Sequence, residues 1–181
     1  MAVTTSQRVV VGLGTSLGRR RAQLELAVRL LHLQRGVVVL ATSKLYRTPP
    51  WGGVARNPFL NAAVLARTTL GPDALLACCQ DIERRLGRRG GLHWGDRALD
   101  LDVLWMESTV VDRPGMRVPH PRIAERSFVV RPLEDVLPGA MDPVTGRSFL
   151  EQHLELGAQA MLPRPASAGV LSRPRGSKGD S

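Results

Sequence analysis

The hydrophobic period of this chain switches between two residues and 3.6 residues in a fixed order, and that order leaves few architectures open. Arg8–Leu13 is a β-branched run that reads as a buried strand. From Leu17 to Leu33, the residues Leu24, Ala27, Val28 and Leu31 fall on one face of a helix, with Thr15 or Ser16 placed to cap its start and Gly36 marking its exit. Val37–Ala41 and, past a polar break, Lys44–Arg47 read together as a second strand, and Phe59–Arg67 as a third. Gly71 and Pro72 open a second helix whose Leu75, Leu76, Cys79, Ile82 and Leu86 face the core, with Gly87 as its stop. Leu99–Met106 is the fourth strand, with Val110–Val111 expected to pair beside it. Strand, helix, strand, strand, helix, strand is the order of a ferredoxin-like sandwich, an α+β fold with two helices on one face of an antiparallel sheet.

Beyond that unit, Ile123–Leu137 and Ser148–Met161 are predicted to be extra C-terminal helices, the second opened by Ser148 and Glu151 at capping-box spacing. After Leu162 the chain is rich in Pro, Gly, Ser and Arg, a composition that predicts disorder. The expected organisation is therefore a single domain over residues 1–162 and a basic, disordered tail over 163–181. A chain of 181 residues with 43% hydrophobic content can fill one core without disulfides or structural metal. Its only cysteines, Cys78 and Cys79, are neighbours inside a helical pattern, which suits a reducing compartment. No apolar run approaches the roughly 20 residues that span a bilayer, and Met1–Arg8 lacks the layout of a signal peptide. A cytoplasmic protein with no membrane partner is expected.

The formal charge of +9 is concentrated rather than spread. Arg84 to Arg97 contains five arginines and one aspartate, and Arg164 to Ser181 contains three arginines and a lysine against one aspartate. Two local basic stretches fit a small polyanionic ligand better than a whole-surface grip on nucleic acid.

The strongest chemical signal is Leu99-Asp100-Leu101-Asp102-Val103-Leu104. Strand alternation sends Leu99, Leu101 and Val103 inward and both aspartates to the opposite face. Two like charges on one face, of a residue type depleted in strands, ask for a cation between them. A hard ion that takes one or two carboxylates and completes its shell with water and phosphate suits the pair. Just upstream, Arg84, Arg85, Arg88, Arg89 and Arg97 are interrupted by Gly87, Gly90, Gly91 and Gly95, which suggests a phosphate-matching lid on a pliable backbone.

Other features say less. Gly12, Gly14 and Gly18 lack the spacing of a dinucleotide fingerprint and the Lys-Ser/Thr of a P-loop, so they read as a tight strand-to-helix turn. His120 sits between Pro119 and Pro121, which fix the backbone on both sides of an imidazole able to donate to phosphate. Thr48–Pro58 holds three prolines and two glycines and reads as a long shaped loop. Aromatic residues make up only 4% of the chain, and Trp51, Phe59, Trp94 and Phe128 lie mostly in or beside loops, as a stacking site for a planar ligand would need.

Four segments now stand in order: Tyr46-Arg47-Thr48-Pro49-Pro50-Trp51-Gly52, Phe59-Leu60-Asn61-Ala62-Ala63-Val64, Trp94-Gly95-Asp96-Arg97-Ala98-Leu99-Asp100-Leu101-Asp102 and Val118-Pro119-His120-Pro121-Arg122. In these the chain resembles the 6-hydroxymethyl-7,8-dihydropterin pyrophosphokinases of folate biosynthesis, from about Val9 to about Leu137. The resemblance implies transfer of the β,γ-diphosphate of ATP to the pterin hydroxymethyl group, with AMP released. It implies that Asp100 and Asp102 bind two magnesium ions, and that Arg88 and Arg97 neutralise the moving diphosphate. It places His120 and Arg126 on phosphate and Gln80, Glu83 and Val103 around the nucleotide. Phe59 and Phe128 would sandwich the pterin, Asn61 with backbone groups of Thr48, Pro50 and Trp51 would read its amide edge, and Trp94 would close over it. Ser16, Arg19, His93 and Asp96 depart from the residues usual in that family, and the loop between Gly87 and Trp94 is one residue short. ATP and the pterin are the expected partners, with the chain acting as a monomer or beside other folate-pathway enzymes. An RNA-binding module on the same sheet is the contrasting reading, and carboxylates at Asp100 and Asp102, where such a sheet needs aromatics, argue against it.

Overall fold

The computed structural model describes residues 6–49, 56–87, 98–156, 165–172 and 174. In chain order the elements are β1 Gln7–Thr15, α1 Arg20–Leu33, β2 Val37–Thr42, β3 Lys44–Thr48, β4 Phe59–Thr68, α2 Pro72–Arg85, β5 Asp100–Met106, β6 Val111–Arg113, β7 Met116–Val118, α3 Ser127–Val136, α4 Phe149–Glu155 and β8 Pro165–Val170. The main sheet runs β5-β1-β4-β3-β8, with β2 also paired to β4, and every pairing in it is antiparallel. This is the ferredoxin-like arrangement expected from the sequence.

Strand alternation divides the apolar residues between two cores. Val9, Val11 and Leu13 of β1 and Leu101 and Val103 of β5 meet Leu24, Ala27, Val28 and Leu31 of α1 and Leu75, Cys79 and Ile82 of α2. Leu24, Leu31, Leu75 and Ile82 are fully buried, and each such side chain stabilises the fold by about 1.5–3 kcal/mol. Burial pushes the Cys79 thiol well above its ordinary range, so it packs as a small apolar group. The opposite face carries a second core, in which Val10, Ala63, Leu104 and Trp105 meet Val130 and Leu133 of α3 and Phe149 of α4. The C-terminal helices thus cover the face that α1 and α2 leave open.

Several expectations need correction. Gly12 and Gly14 are not part of a turn, because β1 continues through both to Thr15, paired on each side. Neither Thr15 nor Ser16 caps α1. The helix starts after Arg19 with no side-chain cap, and the Thr15 hydroxyl instead donates to the Ala98 carbonyl at 2.7 Å. The expected second strand is two strands broken at Ser43, whose Oγ accepts from the Ala63 N–H at 2.8 Å and donates to the Lys44 carbonyl at 2.7 Å. Val111 pairs with Val118 in a separate hairpin and not with β5.

The helix expected from Ile123 begins only at Ser127, because the preceding residues form turns in which Ile123 N–H donates to His120 O and Arg126 N–H to Ile123 O. The capping box at Ser148 and Glu151 is formed. α4 is described only to Glu155, and 157–164 lie outside the described residues. Disorder beyond Leu162 does not hold for Pro165–Val170, which pairs with β3. There the backbone of β3 offers hydrogen bonds that composition cannot reveal, and Leu171 follows into the first core at 1% exposure. Among the described residues no helix is long and apolar enough to cross a membrane.

Candidate functional site

The registers of β5, β1, β4 and β3 lay the candidate residues out in rows on one face of the sheet. One row pairs Asp102 with Gly12 and Gly12 with Ala63. The next pairs Asp100 with Gly14, Gly14 with Asn61 and Asn61 with Tyr46. A third pairs Phe59 with Thr48. This is the face that α3 covers at Ala63 and Leu104. Past Ala63 the apolar packing gives way to Asn61 and Phe59 on β4 and to Gly14 on β1. Neighbouring strands lie about 4.8 Å apart, so roughly 10 Å of floor separates Asp100 from Asn61, with only the glycine between them.

At the acidic end both aspartates are half-buried, about 6–7 Å apart along the strand backbone, as the alternation predicts. The buried Glu83 of α2 fixes the strand between them. Its Oε1 accepts the N–H of Leu101 at 2.7 Å, and the side chain is 2% exposed. Satisfying that N–H matters, because among the described residues β5 is an edge strand paired only with β1 in the sheet.

Facing the aspartates is the loop from β7 to α3. The N–H of His120 donates to the Leu104 carbonyl at 2.8 Å, which hangs the loop on β5. Burial, reinforced by Arg126 and Arg122, lowers the His120 pKa to about 4, against the opposing pull of Asp100. The imidazole is therefore neutral at physiological pH. Its Nδ1 accepts the N–H of Arg122 at 3.2 Å, so Nε2 carries the proton and His120 is a neutral donor. Burial also lowers the Arg126 pKa, and Asp102 and Asp100 both act to raise it. A guanidinium stays charged under such a shift, so carboxylates and a cation face each other across the site.

At the other end Asn61, 7% exposed, donates from Nδ2 to the Thr48 hydroxyl at 2.9 Å. That bond fixes the amide with Oδ1 turned toward Gly14, where an added Cβ would lie 3.2 Å from it. Phe59 at the start of β4 and Phe128 in the first turn of α3 are both half-buried. The Arg126 guanidinium lies 5.8 Å from the centre of the Phe128 ring. α3 is held to β3 through Asp135, which accepts from the Tyr46 hydroxyl at 2.8 Å and from the Lys44 N–H at 3.0 Å. Burial and that hydrogen bond push the Tyr46 pKa far up, so it remains the donor.

The structure therefore brings Thr48, Phe59, Asn61, Asp100, Asp102, His120, Arg126 and Phe128 to one side of the molecule. Three residues expected around the nucleotide lie off that face, on α2 and the core side of β5. The Val103 side chain points into the first core at 6% exposure, Glu83 is engaged with the β5 backbone, and Gln80 is exposed on α2. Pro50, Trp51, Arg88, Trp94 and Arg97 lie outside the described residues. Sequence reasoning missed the part played by Gly12 and Gly14, whose spacing of two at the end of a strand was the available signal.

A half-buried acidic pair opposed by a guanidinium, joined by a glycine-lined strip of sheet to an oriented amide and two aromatic rings, defines a phosphate-handling α+β enzyme with a second subsite for a flat polar ligand. The family described as 7,8-dihydro-6-hydroxymethylpterin-pyrophosphokinase (HPPK) matches residues 10–138. A 2-amino-4-hydroxy-6-hydroxymethyldihydropteridine pyrophosphokinase from Methylorubrum extorquens is 43% identical over 131 residues, covering 72% of this chain and 83% of that protein. The Bacillus subtilis protein of the same name is 40% identical over 126 residues, covering 70% of this chain and 75% of its own length. A crystal structure of Plasmodium falciparum HPPK-DHPS with pteroate shares the fold at a TM-score of 0.65 and 15% identity; it covers 85% of this chain, which spans only 43% of that longer one. The chain belongs to the HPPK family.

Proposed function

We propose that this chain transfers the β,γ-diphosphate of ATP to the hydroxymethyl group of 6-hydroxymethyl-7,8-dihydropterin and releases AMP, a step of folate biosynthesis. The hydroxymethyl oxygen forms a bond to the β-phosphorus. The bond from that phosphorus to the oxygen bridging the α-phosphate breaks, and the hydroxyl proton passes to solvent. The observation that carries the reading is the single sheet face on which Asp102 stands beside Gly12 and Asp100 stands across Gly14 from Asn61, with His120 and Arg126 facing the acidic end.

The donor set fits magnesium. Two carboxylates leave one strand face, and among the described residues no group of three or more His, Cys, Asp or Glu side chains gathers to cage an ion. The ions would thus depend on nucleotide oxygens to complete their shells. Asp100 and Asp102 would hold them, and the metal would supply charge neutralisation on the transferring phosphates. The chain's own groups do the rest. Arg126 and neutral His120 donate to phosphate oxygens, with Arg88 and Arg97 assigned by sequence to the moving diphosphate. Asn61 and Thr48, with backbone groups of Pro50 and Trp51, read the pterin edge, Phe59 and Phe128 stack on its ring, and Trp94 closes over it. Gln80 approaches the nucleotide from the exposed face of α2, while Glu83 and Val103 hold β5 in place behind the acidic pair. In-line positioning and charge compensation carry most of the rate in such a transfer.

The activity belongs to a cytoplasmic domain that runs past residue 162 to take in β8 and Leu171, working as a monomer or beside another folate-pathway enzyme. The test is AMP released from ATP with 6-hydroxymethyl-dihydropterin, with and without magnesium. Turnover that requires both the metal and the pterin is expected, and ATP consumption indifferent to the pterin would overturn the assignment.

A further inference from the structure

The family match ends at residue 138, yet the segment after it is built against the phosphate side of the site. His153 of α4 is 4% exposed, and its Nδ1 lies 2.7 Å from the Ala124 carbonyl oxygen. A carbonyl can only accept, so Nδ1 carries the proton and donates. Ala124 lies between His120 and Arg126 in the loop that faces the aspartates. That loop is otherwise held by its own turns, by His120 N–H on the Leu104 carbonyl, and by Ile123, which is 1% exposed in the core that Phe149 of α4 also enters.

The donor that reaches Ala124 is itself firmly mounted. The Ser148–Glu151 capping box fixes the start of α4. Asp142 accepts from Val144 N–H at 2.9 Å and from the Thr145 hydroxyl at 3.0 Å, which sets the turn before it. The Trp105 indole N–H donates to the Met141 carbonyl at 3.1 Å, tying the same segment to β5. α4 therefore bridges the strand that bears Asp100 and Asp102 and the loop that bears His120 and Arg126.

We propose that His153 is a positioning residue for the phosphate-contacting groups His120 and Arg126, acting through the Ala124 carbonyl. This rests on the reading that those two side chains contact the nucleotide phosphates. The effect falls on ATP rather than the pterin, because Asn61 and Thr48 are held within the sheet by their own hydrogen bond and Phe128 is carried by α3, which Asp135 ties to β3.

Two replacements separate donor from volume. Leucine fills the space of the ring without a donor, whereas asparagine places an amide N–H close to the position of Nδ1. His153→Leu is expected to raise the KM for ATP about fivefold, the equivalent of one hydrogen bond of about 1 kcal/mol, while leaving the KM for pterin in place. His153→Asn is expected to restore the ATP value. A merely structural role would lower Tm without this selective shift or its rescue. The proposal is overturned if His153→Leu leaves the ATP KM unchanged, if Asn fails to restore it, or if the pterin KM rises equally. Arg126→Ala run beside them distinguishes the two levels. Should it leave the ATP KM unchanged, the phosphate reading falls and the brace with it; should it raise that KM while His153→Leu does not, the brace alone fails.

Discussion

Replacing Gly14 by alanine tests the floor of the site most directly. Gly14 lies near the end of β1 but is paired on both sides, so its backbone suits any residue, and alanine by itself would favour the fold by roughly 0.5–1 kcal/mol through lost chain entropy in the unfolded state. The added Cβ, however, would lie 3.2 Å from Asn61 Oδ1, close enough that the amide must give by a few tenths of an ångström. That amide is held by its 2.9 Å bond to Thr48, so moving it weakens that bond and misaligns the acceptor offered to the pterin. Mild overpacking of this kind and the weakening of one hydrogen bond each cost about 1 kcal/mol. Global stability should therefore change little, while pterin affinity falls about 5- to 30-fold for a loss of about 1–2 kcal/mol. Gly12→Ala provides the contrast. Its Cβ would meet three atoms of the buried Leu104 side chain at 3.1–3.3 Å, in the core and away from Asn61. It should lower Tm and leave pterin affinity intact. Pterin titration by calorimetry and thermal melts of both variants decide the matter, and a Gly14→Ala protein that binds pterin like the parent would refute the reasoning.

Changing Asp100 and Asp102 together to asparagine should abolish magnesium-dependent AMP release while circular dichroism stays native; retained turnover would remove the metal assignment. His120 binds more protons unfolded than folded between about pH 4 and 6.5, so its contribution to stability is complete above 6.5 and is lost as pH falls through 4. His120→Asn should flatten the pH dependence of urea unfolding in that window, and an unchanged slope would contradict the assigned burial. Glu83→Ala should cost about 1–3 kcal/mol by stranding the Leu101 N–H, with Glu83→Gln much milder because its amide oxygen still accepts; equal losses in urea unfolding would mean that the charge, and not the bond, matters.

What the sequence made legible follows from how locally each feature is determined. The acidic pair was readable because a strand's period is two, so Asp100 and Asp102 share a face wherever the strand docks. α2 and the Ser148 capping box were readable because their signals lie within one helical turn. Thr15 failed as a cap because its hydroxyl is engaged by Ala98, a partner far away in sequence. β8 was hidden for the same reason: Pro165–Val170 has little apolar content, and its order comes from the edge of β3. The pairing of Asn61 with Gly14 depends on strand register, which no single segment encodes, and the link from His153 to Ala124 depends on where two distant loops converge.

The position of β5 at the rim of the sheet carries one more consequence. Among the described residues no second strand pairs with the outer side of β5, and such a rim is a template on which another molecule can zip, against which charged side chains are a common defence. In an edge-to-edge pair of such strands, Asp100 and Asp102 of one molecule would stack against those of the next at cross-strand distance, where like charges repel. The groups assigned to grip metal would then also keep molecules apart, and neutralising them should leave a folded but stickier protein.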